Sequence, residues 1–107
     1  MAVISINRSM FQEMTEDDRH VLVVFCAPRC RYCRRIEPAC EKIAQKYGGS
    51  LSVARVNVDE EVLLAEQEQI EILPTLVLYR KGQALGSTVS PESTQMIDTF
   101  LQEILGA

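Results

Sequence analysis

The chain has 107 residues, 47% of them hydrophobic, and a formal net charge of -4 with a pI of about 5.0. That is the length of one domain, residues 1–107, with enough apolar content to build a core without disulfide or metal staples. An acidic surface repels a phosphate backbone, which excludes nucleic acid as a favoured partner. The longest apolar run, residues 21–27, falls far short of the roughly 20 residues that span a bilayer, so no membrane is expected either. The opening Met1-Ala2-Val3-Ile4-Ser5-Ile6 has neither a basic leader nor a sustained apolar stretch. The reading expects a cytoplasmic monomer.

Residues 3–6 read as a short first strand. Ser9-Met10-Phe11-Gln12 reads as a capping box that opens a helix ending near residues 15–18. His20 falls in a loop. Val21-Leu22-Val23-Val24-Phe25 is β-branched and continuously apolar, the pattern of a strand buried on both faces of a sheet. In the next segment Ile36, Ala39, Cys40, Ile43, Ala44 and Tyr47 recur at helical spacing, with Pro38 inside the pattern and Gly48-Gly49 ending it. Residues 51–58 predict a second core strand, and the acidic residues 59–69 a helix.

Leu76-Val77-Leu78-Tyr79 predicts a strand that turns at Lys81-Gly82 into residues 83–89, a hairpin. Ser90-Pro91 reads as an N-cap with proline at the first helical position. Met96, Ile97, Phe100, Leu101, Ile104 and Leu105 form the apolar face of that last helix, closed by Gly106. The order β-α-β-α-β-α-β-β-α predicts an α/β fold: a central mixed sheet of four to five strands with helices on both faces.

The chemistry concentrates in Cys30-Arg31-Tyr32-Cys33. All four cysteines, Cys26, Cys30, Cys33 and Cys40, lie in one short stretch, whereas a disulfide scaffold spreads its bridges to close long loops. The C-x-x-C spacing lets two sulfurs meet within one turn. It follows a core strand and opens a helix, so the first sulfur meets unpaired N–H groups that favour a thiolate. The second, set deeper, can resolve a mixed disulfide formed on the first. A zinc half-site uses the same spacing. Cys26 and Cys40, however, fall on apolar patterns and read as small buried hydrophobes, so no metal is expected. Thiol exchange at a low-pKa cysteine needs no partner histidine, which leaves His20 without a catalytic role.

With Val21-Leu22-Val23-Val24-Phe25, Cys30/Cys33, Pro38, Val53-Ala54-Arg55-Val56-Asn57-Val58-Asp59 and Ile72-Leu73-Pro74-Thr75 in view, the chain resembles the thioredoxin family over essentially its whole length. The resemblance implies a thioredoxin fold and a disulfide reductase acting on protein disulfides through Cys30 and Cys33. It implies no organic cofactor, and an external reductase, a flavoprotein by family resemblance, that restores the dithiol. It further implies a cis peptide bond before Pro74 and a substrate groove lined by Ile72, Leu73, Pro74, Val89 and Ser90. An interaction module that keeps the fold without turnover is the alternative.

Departures from the family pattern sit at Arg29 (a Trp position), Arg31-Tyr32 (a Gly-Pro pair), Cys26 (a second Trp), Val24 (a buried Asp), Arg55 (a Lys) and Ser90 (a Gly). Tyr32 reads either as an aromatic substrate contact or as an ordinary helix-start residue. Val24 cannot accept a proton, which predicts slow resolution by Cys33. Arg29 and Arg31, with Arg34 and Arg35 beyond, read either as a solvated helix start or as redox tuning of the thiolate. Tuning would place the potential tens of millivolts above the thioredoxin value of about −270 mV.

Overall fold

The structure is a computed structural model that describes residues 2–106. Its centre is strand β2 (His20–Cys26), in which every residue after His20 is buried. Side chains alternate across a strand, so Leu22, Val24 and Cys26 enter one core and Val21, Val23 and Phe25 the other. Only a continuous apolar run satisfies both. β2 pairs in parallel with β3 (Leu51–Asn57) and antiparallel with β4 (Thr75–Arg80). β1 (Ile4–Ser5) adds beside β3 and β5 (Gln83–Val89) beside β4, giving a five-stranded mixed sheet in the order β1-β3-β2-β4-β5. His20, expected in a loop, instead pairs with Leu51 as the first residue of β2.

Each face carries two helices. α2 (Arg31–Tyr47) and α4 (Thr94–Leu105) cover the first core with Ile36, Cys40, Ile43, Ala44, Ile97 and Leu101. α1 (Arg8–Glu16) and α3 (Val62–Gln67) cover the second through Phe11 and Leu64. α4 also lies close on β5. A Cβ at Gly86 would stand 2.7 Å from Ile104 Cδ1, so a larger residue there would make the tip of that side chain shift.

Several boundaries differ from the sequence reading. The cap of α1 is Asn7, whose Oδ1 accepts the Met10 N–H at 2.9 Å, and Ser9 lies inside the helix. The cap of α4 is Ser93, whose Oγ accepts the Met96 N–H at 3.1 Å. Ser90 is not a cap: it holds a left-handed φ of 46° and turns the chain before the helix starts. Pro91 lies buried in that turn. Met96, expected on the apolar face, is 48% exposed. The acidic segment gives a helix of only six residues, because the Glu60 and Glu61 amides turn back onto the Asn57 carbonyl first.

Across the first core, Asp98 of α4 accepts hydrogen bonds from Lys46 and from Tyr47 Oη (2.6 Å) of α2, and Gln102 Nε2 donates to the same phenol at 3.0 Å. Lys46 and Tyr47 hold the Asp98 carboxyl below its ordinary value. A carboxylate whose pKa is lowered by folding contributes fully above its unfolded value, about 3.9. The contribution is lost as pH falls through the lower folded value. Asp98→Asn should therefore cost about 1 kcal/mol in urea unfolding at pH 7, and wild type and variant should converge as the medium is acidified below pH 4. An equal loss at both pH values would contradict this.

Candidate active site at the Cys30–Cys33 turn

After β2 the chain makes one turn, closed by the Cys30 N–H on the Ala27 carbonyl at 3.0 Å. Cys30 then takes extended backbone as the N-cap of the 17-residue helix α2, and its sulfur accepts the Cys33 N–H at 3.3 Å. The sulfur thus occupies the place where Ser or Asp oxygens usually satisfy an orphan helix amide. Cys30 is partly exposed while Cys33, one turn on, is 4% exposed. All four cysteines are free thiols.

The two motif thiols have opposite acidities. Burial pushes Cys30 up, but the Cys33 thiol, the backbone amides of Cys33 and Tyr32, and the Arg29 guanidinium more than offset it, leaving Cys30 below its ordinary value. Cys33 is pushed up to about 12, by burial first and then by the Cys30 sulfur beside it. Cys26 and Cys40, in the same core, are pushed up by burial to about 11 and about 12. Cys26 Sγ donates weakly to the Val56 carbonyl at 3.7 Å. Val24 is buried in this cluster too. Among the described residues, no three or more His, Cys, Asp or Glu side chains are placed to hold a metal ion.

The arginines disperse. Arg29 pairs with Asp59 at 3.1 Å, both side chains well exposed. Arg34 donates to the Pro28 carbonyl. Arg35 lies over the Tyr32 ring at 5.5 Å from its centroid. Arg31 is exposed and lines the cleft around Cys30 with Arg29, Tyr32, Glu71 and Leu73. Arg55, level with Val24 across the sheet, turns outward to Ser5 Oγ at 3.2 and 3.1 Å.

Of the five residues expected to line a groove, Leu73 borders the Cys30 cleft, while Ile72 and Val89 border a neighbouring one above β4 and β5. The Leu73–Pro74 peptide bond is cis. The loop is fastened by the Thr75 hydroxyl on the Ile72 carbonyl, the Ser90 N–H on the Pro74 carbonyl (2.8 Å) and Ser90 Oγ on the Leu73 carbonyl (3.4 Å). Asp59, Glu71 and Glu92 are site neighbours that sequence reasoning missed. Asp59 opens the acidic segment that reads as a helix, Glu71 lies just past its end, and Glu92 carries no signal in the sequence.

The family model for thioredoxin matches residues 2–103. The chain belongs to the thioredoxin family. Thioredoxin 1 of a Nostoc species is 38% identical over 96 residues, covering 87% of this chain and 90% of that protein. Thioredoxin 1 of Synechococcus elongatus is 39% identical over 85 residues, covering 78% of this chain and 79% of its own. Thioredoxin from Malassezia sympodialis superposes with a TM-score of 0.88 at 27% identity, over 96% of this chain and 90% of its own. That of Trypanosoma brucei brucei has the same fold, with a TM-score of 0.89 at 24% identity over 99% and 93% of the two chains. This thioredoxin-family protein is a thiol–disulfide oxidoreductase, and the family implies protein disulfide substrates and a reductase that restores the dithiol.

The left-handed Ser90 isolates one backbone effect. Ser90→Gly and Ser90→Ala both remove the hydroxyl, but only glycine relieves the strain of φ 46°. The glycine variant should be about 1 kcal/mol more stable than the alanine variant, the usual cost of a left-handed L-residue. That is a difference of about 5 °C in thermal midpoint. An alanine variant at least as stable as the glycine variant would refute it.

Proposed function

We propose that Cys30 is the attacking thiol and Cys33 the resolving thiol of a protein-disulfide reductase. The observation that carries this is the partly exposed Cys30 sulfur, lowered in pKa and capped on the Cys33 amide, above a buried thiol of much higher pKa. The Cys30 thiolate attacks one sulfur of a substrate disulfide, and the other substrate sulfur leaves as a thiolate and takes a proton. Cys33 then loses its proton and attacks Cys30 Sγ. The second substrate thiolate is released, and two electrons have passed to the substrate. A reductase returns the two electrons to the Cys30–Cys33 disulfide.

On this reading residues 1–107 act as one monomeric domain in the cytoplasm, with no organic cofactor, no metal, no nucleic acid and no membrane. No helix among the described residues is long and apolar enough to cross a membrane. Leu73, Pro74 and Ser90, with Ile72 and Val89 further out, receive the substrate backbone. Arg29 assists the thiolate, though its exposure and its pairing with Asp59 keep the effect small. Arg31 and Tyr32 shape the rim. Val24 withholds a proton acceptor from Cys33.

Two measurements test this assignment. At neutral pH one thiol per chain should alkylate rapidly, and Cys33→Ser should trap mixed disulfides while Cys30→Ser traps none. Equal alkylation of both thiols, or trapping by the Cys30 variant, would overturn it. Val24→Asp, which adds a buried base, should speed resolution of the mixed disulfide about tenfold, while destabilising the fold by about 3 kcal/mol. An unchanged resolving rate in folded variant would show that the proton leaves Cys33 by another route.

A further inference from the structure

Tyr79 stands in β4 with its ring buried in the second core. Its hydroxyl reaches out of that core and donates to Glu68 Oε1 at 2.6 Å. Glu68 is the C-cap of α3, where the chain enters the loop that carries Ile72, Leu73 and Pro74. We propose that Tyr79 and Glu68 are positioning residues for the reduction of protein disulfides, a tether from the sheet that holds the 69–74 loop where it receives substrate backbone. The inference rests on the reading of that loop as a substrate-binding segment and names what sets its position.

The two ends of the loop are held differently. The Pro74 end is fastened by the Thr75 and Ser90 hydrogen bonds. Nearer Glu68, Gln69, Glu71 and Ile72 are exposed. A cleft of about 410 Å³ opens between this stretch and the β4–β5 hairpin, bordered by Ile70, Ile72, Val77 and Leu85. Side chains that face open space lack the packing contacts that fix a core residue. α3 has six residues and buries Leu64 alone, and so short a helix is not stiff by itself. Gln69 takes a left-handed φ of 58°, a conformation that persists where the surroundings impose it. The Gln69 N–H on the Glu66 carbonyl (3.1 Å) and the Ile70 N–H on the Ala65 carbonyl (2.9 Å) shape this turn, but they tie it to α3. The hydroxyl of Tyr79 ties it to the sheet, beside the partly buried Ile70.

The sheet end of the tether is rigid. Tyr79 is paired with Val21 of β2 on one side and Ala84 of β5 on the other. Phe11 of α1 meets its ring edge-on, with centroids 5.1 Å apart and an interplanar angle of 87°. Burial, and then the bond to Glu68, push the phenol pKa up, so it keeps its proton at neutral pH and remains a donor. The other carboxylate oxygen of Glu68 accepts from Gln67 Nε2 at 3.1 Å. A hydrogen bond to a carboxylate is stronger than one between neutral groups. Further along the same loop, Glu71 and Leu73 border the Cys30 cleft. A shift of the loop would therefore carry a bound substrate backbone away from Cys30, and small misplacements of this kind are felt in the reaction.

The test uses the full chain and two substrates. Insulin offers disulfides in an extended backbone; dithiobis(nitrobenzoate) is a small disulfide that needs Cys30 but has no backbone for the loop to hold. Tyr79→Phe removes the hydroxyl alone, and Glu68→Leu removes the acceptor. Each should raise KM for insulin about fivefold with kcat unchanged, the factor that the net contribution of one hydrogen bond gives. The rate with the small disulfide should stay at the wild-type value. Glu68→Gln, which keeps an oxygen acceptor, should restore the wild-type KM. The double variant Tyr79→Phe/Glu68→Leu should be no worse than either single one, because both break the same bond. A wild-type KM in both single variants, equal losses on both substrates, no rescue by Glu68→Gln, or losses that multiply in the double variant would overturn the tether while leaving the disulfide reductase intact. Failure of the wild-type protein to reduce insulin would overturn both.

Discussion

The hydrogen bond from the Cys33 amide to the Cys30 sulfur joins helix, sheet and chemistry at a single atom. A helix must satisfy its first amides from outside, and a serine there would do so without reactivity. With sulfur in that place, the same amides and the helix dipole also stabilise the deprotonated thiol, by about 0.3–1 kcal/mol for the dipole alone. The cap is placed by its anchorage. It follows directly from β2, the most enclosed strand, and the Val58 N–H on the Cys26 carbonyl ties the end of that strand to the next crossover. A small movement of α2 relative to β2 would break the cap and the thiolate environment together.

Magnitudes decide which groups set the two acidities. Arg29 and Asp59 are both exposed, and a pair in water is worth about 0–1 kcal/mol. Arg34 and Arg35 are occupied elsewhere, on a carbonyl and on a ring. The arginine-rich motif therefore acts on Cys30 less than its sequence suggests, and backbone amides act more. Cys33 is governed by burial. Its cluster holds Val24, Cys26 and Cys40 but no carboxylate, and Arg55 is turned out to Ser5. Three residues apart in sequence, the two thiols live in different solvents.

The sheet and the placement of the two motif cysteines, one at the helix cap and one buried, were legible because they rest on strong local signals. A short continuous apolar run rich in β-branched residues reads as a doubly buried strand, and a C-x-x-C between strand and helix leaves one sulfur at the cap and the other on the buried stripe. The caps were less legible. Asn7 and Ser9, like Ser90 and Ser93, are all competent capping residues within four positions of a helix start, and only backbone geometry chooses between them. The contact between Gly86 and Ile104 could not be read, since a glycine in a strand does not announce which helix approaches it. Nor could the partner of Arg29, which lies 30 residues away and is brought near only by the parallel crossover.

The strand order has a consequence for the nascent chain. β2 is flanked by β3, made about 30 residues later, and by β4, made about 50 residues later. As synthesis runs from the N-terminus, the most hydrophobic strand of the molecule emerges before either of its neighbours and must wait for both. Once β3 has docked through α2, one side of β2 still offers a row of unpaired amides and carbonyls, with apolar side chains above and below. Only the β4–β5 hairpin, a local and quickly formed unit, closes that side. The same burial that raises Cys33 out of reach of solvent thus leaves the half-made protein with an open, adhesive seam along β2, and the last third of the chain seals it.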